Sequence, residues 1–289
     1  MSDLQSADSG DFVDVHVVDN FYQACSFIPM SFALVTTVHD GGETGIGPHA
    51  LLAPFGITPP HSMLLISRHN SGTAANLRRH GKCALNYVPF ARQAFTGIAN
   101  MGSPGMSLED KAKANPYTMI DSPTPEKAAD PECPQIVAEA FQVFECTWHD
   151  WVGLHQMTDD RGQAYNSHFI LNIDKILLRE EYAGAVEKGE VYPDMPIFCG
   201  FRPATGFWFA ETNPPFSVPL PKVEGLEHQH IFYVANRIHA DFQFTEDACK
   251  ALTGIPRPFL QDALKGIVER AQQDGVPVID VDYLKKIRP

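Results

Sequence analysis

The stretch "SMLLISRHNSGTAANLRRHGKCALNYV", residues 62–88, combines two strand patterns with a short helix pattern between them. Its first six and last six residues are mostly apolar, which favours strands. Between them, Thr73 is predicted as the N-cap of a helix of about two turns, and Gly81 as the residue that ends it. The sequence therefore predicts a strand–loop–helix–strand unit.

The loop of this unit has the features of a phosphate-binding site. The N-terminus of a helix carries free backbone N–H groups and a partial positive charge. Arg68, at the end of the first strand, adds a guanidinium whose fork suits phosphate oxygens. The following "NSG" (70–72) can turn its amides and hydroxyl toward the same point. A simple capped junction between a strand and a helix is the alternative interpretation.

The acidic residues are distributed unevenly along the chain. There are 35 Asp and Glu against 22 Lys and Arg, a net charge of −13, so the surface as a whole disfavours nucleic acid and anionic membranes. The segment 44–108 has no Asp or Glu, although about eight would be expected in proportion to its length. It keeps Arg68, Arg78, Arg79, Lys82 and Arg92. Buried strands avoid carboxylates, which explains part of the gap. It does not explain why the segment keeps its cations, so the segment indicates an anion site.

Short strand patterns separated by Pro and Gly predict a mainly β fold with a closed antiparallel sheet. The strand patterns lie at 32–38, 62–67, 83–88, 140–148, 151–157, 167–173 and 205–210. Residues 101–135 show no regular pattern and are expected to be either a functional lid or a segment without fixed structure.

The outer segments predict the domain organisation. Residues 1–20 are expected to be a flexible tail, 21–230 the β domain, and 242–289 a C-terminal helical module. The proline-rich stretch 211–230 is expected to lead from one domain to the other. Within the module, Thr245 and Asp280 are predicted to cap helices, and Gly275 to end one.

The composition indicates a cytoplasmic protein. The polar, acidic start of the chain is unlike a secretory signal, and no apolar run approaches the roughly 18 residues of a membrane helix. Six cysteines without a C-x-x-C pair are expected to be free thiols. No G-x-S-x-G, H-E-x-x-H, Walker or G-x-G-x-x-G pattern is present, which argues against a serine hydrolase, a zincin, a P-loop protein and a Rossmann domain.

Several short motifs, in order and spacing, resemble the flavin reductase-like, FMN-binding split-barrel proteins, the group of flavoredoxin and the flavin:NAD(P)H reductases. They are Pro29, "VTT" at 35–37, "GPHALLAPF" at 47–55, Pro59-Pro60, Thr73 with Asn76, and Gly81 with Asn86. The later "PQIVAEAFQVFECTW" (134–148) and "WVGLHQM" (151–157) also look like strands of that family. The resemblance covers residues 25–210.

This resemblance implies an FMN-binding split β-barrel with short helices, followed by the small C-terminal α-helical module. It implies that the flavin ring contacts His49, Ala50, Leu51 and Leu52. It further implies that the phosphate-binding loop consists of Ser67, Arg68, Ser71, Gly72 and Thr73, with Asn76 close behind. A homodimer is implied by the resemblance alone.

The C-terminal segment 244–284 looks like the small helical domain at the end of a protochlorophyllide reductase subunit. The shared features are an aromatic-Thr opening, "IP" at 255–256, "VERA" at 268–271 and "GVPVI" at 275–279. This second resemblance implies a docking or cover module.

Among the histidines, His155 is the candidate catalytic residue, because the resemblance places it on an inner strand near the flavin. It would act as a hydrogen-bond donor or proton source, and a satisfied core histidine is the alternative. His228 and His230 form an H-x-H pair in the proline-rich stretch without a third ligand, so no metal site is expected.

The sequence as a whole predicts an FMN-dependent oxidoreductase in which NAD(P)H reduces the flavin. Electrons would then pass to a bound acceptor or to a partner oxygenase. One alternative is an FMN-bound reductase of a specific organic substrate, covered by residues 101–135. Another is a non-catalytic flavin-binding electron carrier, because the "G-D-H" of dedicated flavin reductases is replaced by Trp148-His149-Asp150.

Overall fold

The computed structural model describes residues 12–101, 106–149, 155–158, 161–185, 189, 191–202, 206–218, 227–255 and 257–287. The chain divides into two compact units, residues 1–215 and 216–289. The predicted domain boundaries at 20, 230 and 242 stay a prediction.

The first unit is built mainly from strands. They are β1 (Ala33–Val38), β2 (Thr44–His49), β3 (Leu52–Gly56), β4 (Ser62–Arg68), β5 (Lys82–Tyr87), β6 (Met119–Ile120), β7 (Ile136–Val137), β8 (Gln142–Trp148), β9 (His155–Thr158), β10 (Ala164–Leu178), β11 (Pro196–Arg202) and β12 (Gly206–Glu211). Its helices are short: α1 (Phe21–Ala24), α2 (Gly72–His80), α3 (Arg92–Met101), α4 (Leu108–Ala114), α5 (Pro125–Ala128) and α6 (Glu180–Ala183).

Eight strands form one curled sheet in the order β2-β1-β5-β8-β10-β4-β3, with β9 added to β10. Every pairing in it is antiparallel. The 15-residue strand β10 pairs with β8, β9 and β4, so it joins the two halves of the sheet. This arrangement places the ends of β4 and β2 beside helix α2.

Strand β1 is buried along its whole length, because both faces of the sheet are covered. Side chains alternate across a strand, and here Leu34 packs with Phe95 and Ile98 of α3 on one face. Val35 packs with Leu65 and Phe169 on the other face. The core therefore lies on both sides of the sheet.

Six of the seven strand patterns coincide with observed strands: β1, β4, β5, β8, β10 and β12. Of the pattern 151–157, residues 155–157 lie in β9 and the rest fall outside the described residues. Strands β2, β3 and β11 were not predicted. The six cysteines are free thiols, as predicted. No helix in the described part of the chain has the length and apolarity to cross a membrane.

The prediction that 101–135 lacks regular structure is wrong for much of this segment. It contains α4, β6 and α5, and β6 pairs with β7 just beyond it. Helix α4 packs on α3 at Gly97, where an added Cβ would lie 2.7 Å from the carbonyl oxygen of Ala114. The segment is therefore anchored by close backbone packing.

The second unit is helical, as predicted for the C-terminal module. It contains α7 (Glu227–Ala235), α8 (Glu246–Ala251), α9 (Arg257–Asp274) and α10 (Val281–Ile287), with a two-stranded parallel pair of β13 (Gln243–Phe244) and β14 (Val278–Ile279). Thr245 caps α8 through the N–H of Ala248, and Asp280 caps α10 through the N–H of Tyr283. Gly275 ends α9 with a φ of 65°. These three predictions are confirmed.

Helix α7 corrects the interpretation of residues 227–230 as part of a proline-rich connection. His228 is buried, and its Nε2 lies 3.0 Å from Oε1 of Glu246 on α8. His230 is exposed on the same helix. His228 therefore has a packing role, because it links α7 to α8.

Candidate functional site

The turn between β4 and α2 creates an open helix N-terminus. Ser71 is the N-cap, because its Oγ accepts a 3.1 Å hydrogen bond from the N–H of Ala74. The prediction of Thr73 as N-cap is therefore wrong, and Thr73 is the second residue of the helix. Serine and threonine both suit an N-cap position. Here Gly72 is the first helical residue, so the residue before it, Ser71, is the N-cap. Gly81 ends the helix with a φ of 68°, as predicted.

Two backbone donors at this N-terminus and one cation line the same cavity. As the first two helical residues, Gly72 and Thr73 have N–H groups without an intrahelical acceptor. Arg68 is exposed at the end of β4 and forms no ion pair with a carboxylate of the described residues. The Oγ atoms of Ser67 and Ser71 lie 2.8 Å apart, which fixes the turn. This geometry favours a phosphate or another oxyanion.

A second arginine, Arg78, connects the turn to the sheet. Nη2 of Arg78 donates to the carbonyl oxygen of His69 at 2.7 Å, and its Nη1 donates to Oγ of Ser167 on β10 at 3.3 Å. Nδ1 of His69 lies 2.8 Å from the same Ser167 Oγ. Arg78 is therefore used to hold the loop on the sheet, and Arg68 is the arginine of this turn that lines the cavity.

Asn76 is buried on α2 and has its amide fully engaged. Its Nδ2 donates to Oγ1 of Thr37 at 3.0 Å and lies 3.1 Å from Nδ1 of His39. Its Oδ1 accepts from Nη1 of Arg79 at 3.3 Å, and Arg79 also pairs with Asp40 at 3.3 Å. Asn76 thus ties α2 to β1 and to the turn after it, and so positions the helix.

A cavity of 1120 Å³ opens beside the helix N-terminus. Its polar end consists of the β4–α2 turn and the end of β2. Its other end is apolar and contains side chains from β1, α3, β11 and β12. Nine of the ten predicted cofactor-binding residues line it: His49, Ala50, Leu51, Ser67, Arg68, Ser71, Gly72, Thr73 and Asn76. The tenth, Leu52, lies in the hydrophobic core under the sheet.

The acid-free segment of the sequence supplies most of this cavity. Glu43 and Glu109, the acids that border the segment, both line the cavity, together with His39 and Lys111. Burial lowers the pKa of His39, and the nearby Glu43 opposes this shift. Charged side chains therefore line this cavity, and the ring of His39 lies close to the helix N-terminus, since its Cε1 is 3.8 Å from the position of a Cβ on Gly72.

His49 connects the two halves of the polar end. Its Nε2 lies 3.2 Å from Oγ1 of Thr73, within hydrogen-bonding distance. Burial lowers the pKa of His49 to about 4, so the imidazole is neutral at neutral pH. A Cβ on Gly47 would lie 3.1 Å from Oγ1 of Thr73, so the glycine leaves room for this contact. A neutral ring here can both donate and accept a hydrogen bond.

The lowered pKa of His49 makes stability pH-dependent. Its pKa of about 4 in the folded protein lies below the ordinary value of about 6.5. The unfolded chain therefore binds the extra proton first, and stability falls as the pH drops from 6.5 toward 4. Between pH 7.5 and 4.5 the unfolding free energy of the wild type should fall by about 2–3 kcal/mol more than that of the His49→Gln variant.

Urea unfolding of both proteins at the two pH values measures this difference. The control is His61→Gln, at an exposed histidine. This variant should lose as much unfolding free energy between the two pH values as the wild type. Equal losses in the wild type and in His49→Gln would contradict a neutral His49.

His155 lies in β9, where its backbone pairs with His168 of β10. Its side chain lies outside the described residues, so its catalytic role stays a prediction. The sequence did not identify Tyr22 or Lys111, both of which line the cavity. They come from segments far from the β4–α2 turn, and no local pattern connects them. Burial raises the pKa of Tyr22, and the charge of Arg68 partly opposes this shift.

Comparison with known proteins agrees with this fold. Nitrilotriacetate monooxygenase component B from Bacillus cereus has a TM-score of 0.55 at 16% identity, over 72% of this chain and 100% of that one. A split barrel domain protein from Shewanella frigidimarina has a TM-score of 0.53 at 14% identity, over 72% and 100%. An FMN-binding protein from Thermus thermophilus has a TM-score of 0.51 at 13% identity, over 73% and 99%. These likenesses confirm the predicted mainly β split barrel.

A search of curated protein sequences found no significant match. The family model of the flavin reductase like domain, by contrast, matches residues 25–185, more than half of the 289-residue chain. The resemblance of the C-terminal segment to a protochlorophyllide reductase domain lies beyond that match and stays a prediction. The match over residues 25–185, on a fold that brings the predicted flavin-binding residues to one cavity, shows that this chain belongs to the flavin reductase-like family, a family of flavin-related oxidoreductases.

Proposed function

We propose that the protein is an FMN-dependent oxidoreductase that takes electrons from NAD(P)H and passes them to a bound acceptor or to a partner oxygenase. The observation that carries this proposal is the convergence of the open helix N-terminus, Arg68 and the stretch 49–51 on one cavity. We include in the proposal a homodimer, on the basis of the family resemblance, and a cytoplasmic location, on the basis of six cysteines without a C-x-x-C pair.

The residues present fit the phosphate and the ring of FMN. Arg68 and the N–H groups of Gly72 and Thr73 would neutralise the phosphate and hold its oxygens. His49, neutral and fixed by Thr73, would hydrogen-bond a polar edge of the ring. Ala50 and Leu51 are apolar and would exclude water from the ring. Bound FMN supplies the hydride chemistry, and the protein orients it.

Two relatives bear on the finer parts of the proposal. The Bacillus cereus structure is a monooxygenase component, which supports a partner oxygenase for this chain. The Thermus thermophilus structure is an FMN-binding protein, which supports FMN as the flavin. His155 as a proton source near the flavin remains part of the proposal.

A second candidate is direct reduction of an organic substrate by bound FMN. It is favoured by the cavity volume of 1120 Å³, which exceeds the roughly 300–1000 Å³ of typical small-molecule pockets. Helix α4 supports it as well, because Leu108, Lys111 and Ala112 of this helix line the cavity. There is room for a flavin and a second molecule.

Steady-state oxidation of NADH and of NADPH, with and without added FMN, tests the proposed function. We expect turnover that depends on FMN and saturates in one of the two nicotinamides. The reaction without protein is the control, because NAD(P)H reduces free flavin slowly. Tight FMN binding without turnover would favour the electron carrier, and absence of FMN binding would contradict the proposal.

A further inference from the structure

His39 lies beside the N-terminus of α2, in the turn that follows β1. Its backbone N–H donates to the carbonyl oxygen of Glu43 at 2.9 Å, and its own carbonyl oxygen accepts from the N–H of Gly42 at 3.0 Å. The ring lies over Gly45 of β2 and lines the cavity. Its Cε1 is 3.8 Å from the position of a Cβ on Gly72, the first residue of α2. The β1–β2 turn therefore places an imidazole beside the proposed phosphate site.

The hydrogen bonds of Asn76 decide which ring nitrogen of His39 carries the proton. Oδ1 of Asn76 accepts from Nη1 of Arg79 at 3.3 Å, which fixes the orientation of the amide. Nδ2 of the same amide donates to Oγ1 of Thr37 at 3.0 Å and lies 3.1 Å from Nδ1 of His39. Since an amide nitrogen only donates, Nδ1 of His39 accepts this hydrogen bond. The neutral ring therefore carries its proton on Nε2.

The Nε2–H group of His39 is open to a ligand. Nε2 has no hydrogen-bond partner among the described residues, and it is not one of the buried atoms that lack a partner. A Cβ on Gly45 would lie 2.2 Å from Nε2, so the lack of a side chain on this glycine makes room for the edge of the ring. Because His39 and Gly45 both line the cavity, a molecule in the cavity can reach this donor.

The ring of His39 is neutral at neutral pH. Burial lowers the pKa of His39, the charges of Arg79 and Lys111 lower it further, and the charge of Glu43 raises it. A second proton on the ring would also set an N–H at Nδ1 against the N–H groups of Asn76, so that two donors would face each other. His39 is therefore suited to donate one hydrogen bond from Nε2 and does not act as a permanent cation.

We propose that His39 is a further phosphate-binding residue of this site, whose Nε2–H donates to an oxygen of the phosphate held at the N-terminus of α2. Asn76 is the positioning residue that fixes the tautomer of His39. The inference rests on the proposed function, in which FMN supplies the phosphate. A phosphate group has three acceptor oxygens, so the β1–β2 turn can bind one oxygen while the N–H groups of Gly72 and Thr73 bind another.

Fluorescence titration of FMN and of riboflavin into two variants of His39 tests the contact. His39→Asn keeps a polar atom near the place of Nδ1 and removes the donor at Nε2. His39→Gln extends its amide nitrogen to the place of Nε2 and keeps the donor. The control is His61→Gln, at an exposed histidine that does not line the cavity.

We expect the Kd for FMN to rise about 10-fold in His39→Asn, the effect of one hydrogen bond to a charged acceptor. In His39→Gln the Kd for FMN should stay within about threefold of the wild-type value, because the donor is kept. The Kd for riboflavin, which has no phosphate, should stay within about twofold in both variants and in the control.

The Gly45→Ala variant displaces the same ring by a second route. The added Cβ would overlap Nε2 of His39, which is the end of a flexible side chain, so the ring moves. We expect the Kd for FMN to rise about as much as in His39→Asn. The double variant Gly45→Ala/His39→Asn should stay within about twofold of either single variant, because both changes remove one contact. Losses that add up in the double variant would contradict a shared contact.

Nuclear magnetic resonance of the flavin-free protein, with ¹⁵N-labelled histidines, reads the tautomer whether or not FMN binds. The signals of the His39 ring are identified by their loss in His39→Gln. At pH 7.5 we expect a proton on Nε2 and none on Nδ1. The Nε2 signal should shift when inorganic phosphate is added, and more strongly when FMN is added.

Three results would overturn this role of His39: a proton on Nδ1, a charged ring at pH 7.5, or equal FMN affinities in His39→Asn and the wild type. If the wild type fails to bind FMN but inorganic phosphate shifts the Nε2 signal, the proposed function is wrong and His39 stands as an anion-binding residue. If FMN binds and drives turnover equally well in the wild type and in His39→Asn, only the His39 contact is wrong.

Discussion

The Arg68→Ala variant should bind FMN about 10- to 150-fold more weakly than the wild type, the effect of losing a charge-assisted hydrogen bond to phosphate. Arg68 lines the cavity beside the N-terminus of α2, whereas Arg78 is engaged by His69 and Ser167. The affinity of the Arg68→Ala variant for riboflavin, which has no phosphate, should stay within about twofold of the wild-type value. Fluorescence titration of both flavins measures the two constants.

The matched control is Arg92→Ala. Arg92 is exposed at the start of α3, lies in the same acid-free segment and does not line the cavity. Its removal changes the net charge by the same amount and should leave FMN affinity nearly unchanged. Equal losses in the two arginine variants would mean that only the general charge of the segment matters. An unchanged FMN affinity in Arg68→Ala would remove Arg68 from the phosphate site.

The Asn86→Ala variant should lose about 3 kcal/mol of unfolding free energy, because several buried backbone groups lose their partner. Asn86 is fully buried in β5. Its Nδ2 lies 2.9 Å from the carbonyl oxygen of Leu34 and 3.2 Å from that of Ala84. Its Oδ1 accepts from the N–H of Val137 at 2.9 Å. One amide thus joins β1, β5 and β7.

Tryptophan fluorescence during urea unfolding measures this loss in the first unit alone. All three tryptophans, Trp148, Trp151 and Trp208, lie before residue 215. The exposed Asn213→Ala is the control and should change the unfolding free energy by less than about 0.5 kcal/mol. A loss in Asn86→Ala as small as that of the control would contradict the role of Asn86 as a buried connection.

The sequence predicted the elements whose signal is local. The strands β1, β4, β5 and β8 consist of compact apolar runs, and the helix in 62–88 lies between a polar loop and a glycine. The error at its N-cap is also local. Ser71 and Thr73 are both residue types that cap helices, and the choice depends on where the chain leaves β4, which the sequence does not encode in a short window.

Other elements depend on partners far along the chain. The strand β2, "TGIGPH", has two glycines and a proline and lacks a strand pattern, and its pairing with β1 makes it a strand. Helix α7 follows a proline-rich stretch and is secured by its packing on α8. Tertiary contacts override local propensity in both cases.

The predicted binding residues that line the cavity are mostly polar, and of its apolar lining the prediction named Ala50 and Leu51. The residues of the β4–α2 turn are contiguous, and the gap in acidic residues between Glu43 and Glu109 was a composition signal for the whole region. Phe32, Phe198 and Phe209, which also line the cavity, come from the start of β1 and from β11 and β12. Single Phe and Tyr residues are most often core residues, so only the fold shows that these meet in a cavity.

The most direct test of a phosphate cradle is the ratio of two dissociation constants in the wild-type protein, that of riboflavin and that of FMN. The two ligands share the ring and the ribityl chain and differ in the phosphate. Arg68 and the helix N-terminus act on the phosphate alone, so FMN should bind at least about 100-fold more tightly than riboflavin. Equal affinities, or no binding of either flavin, would contradict the cradle, and the β4–α2 turn would then be a capped helix start without a ligand.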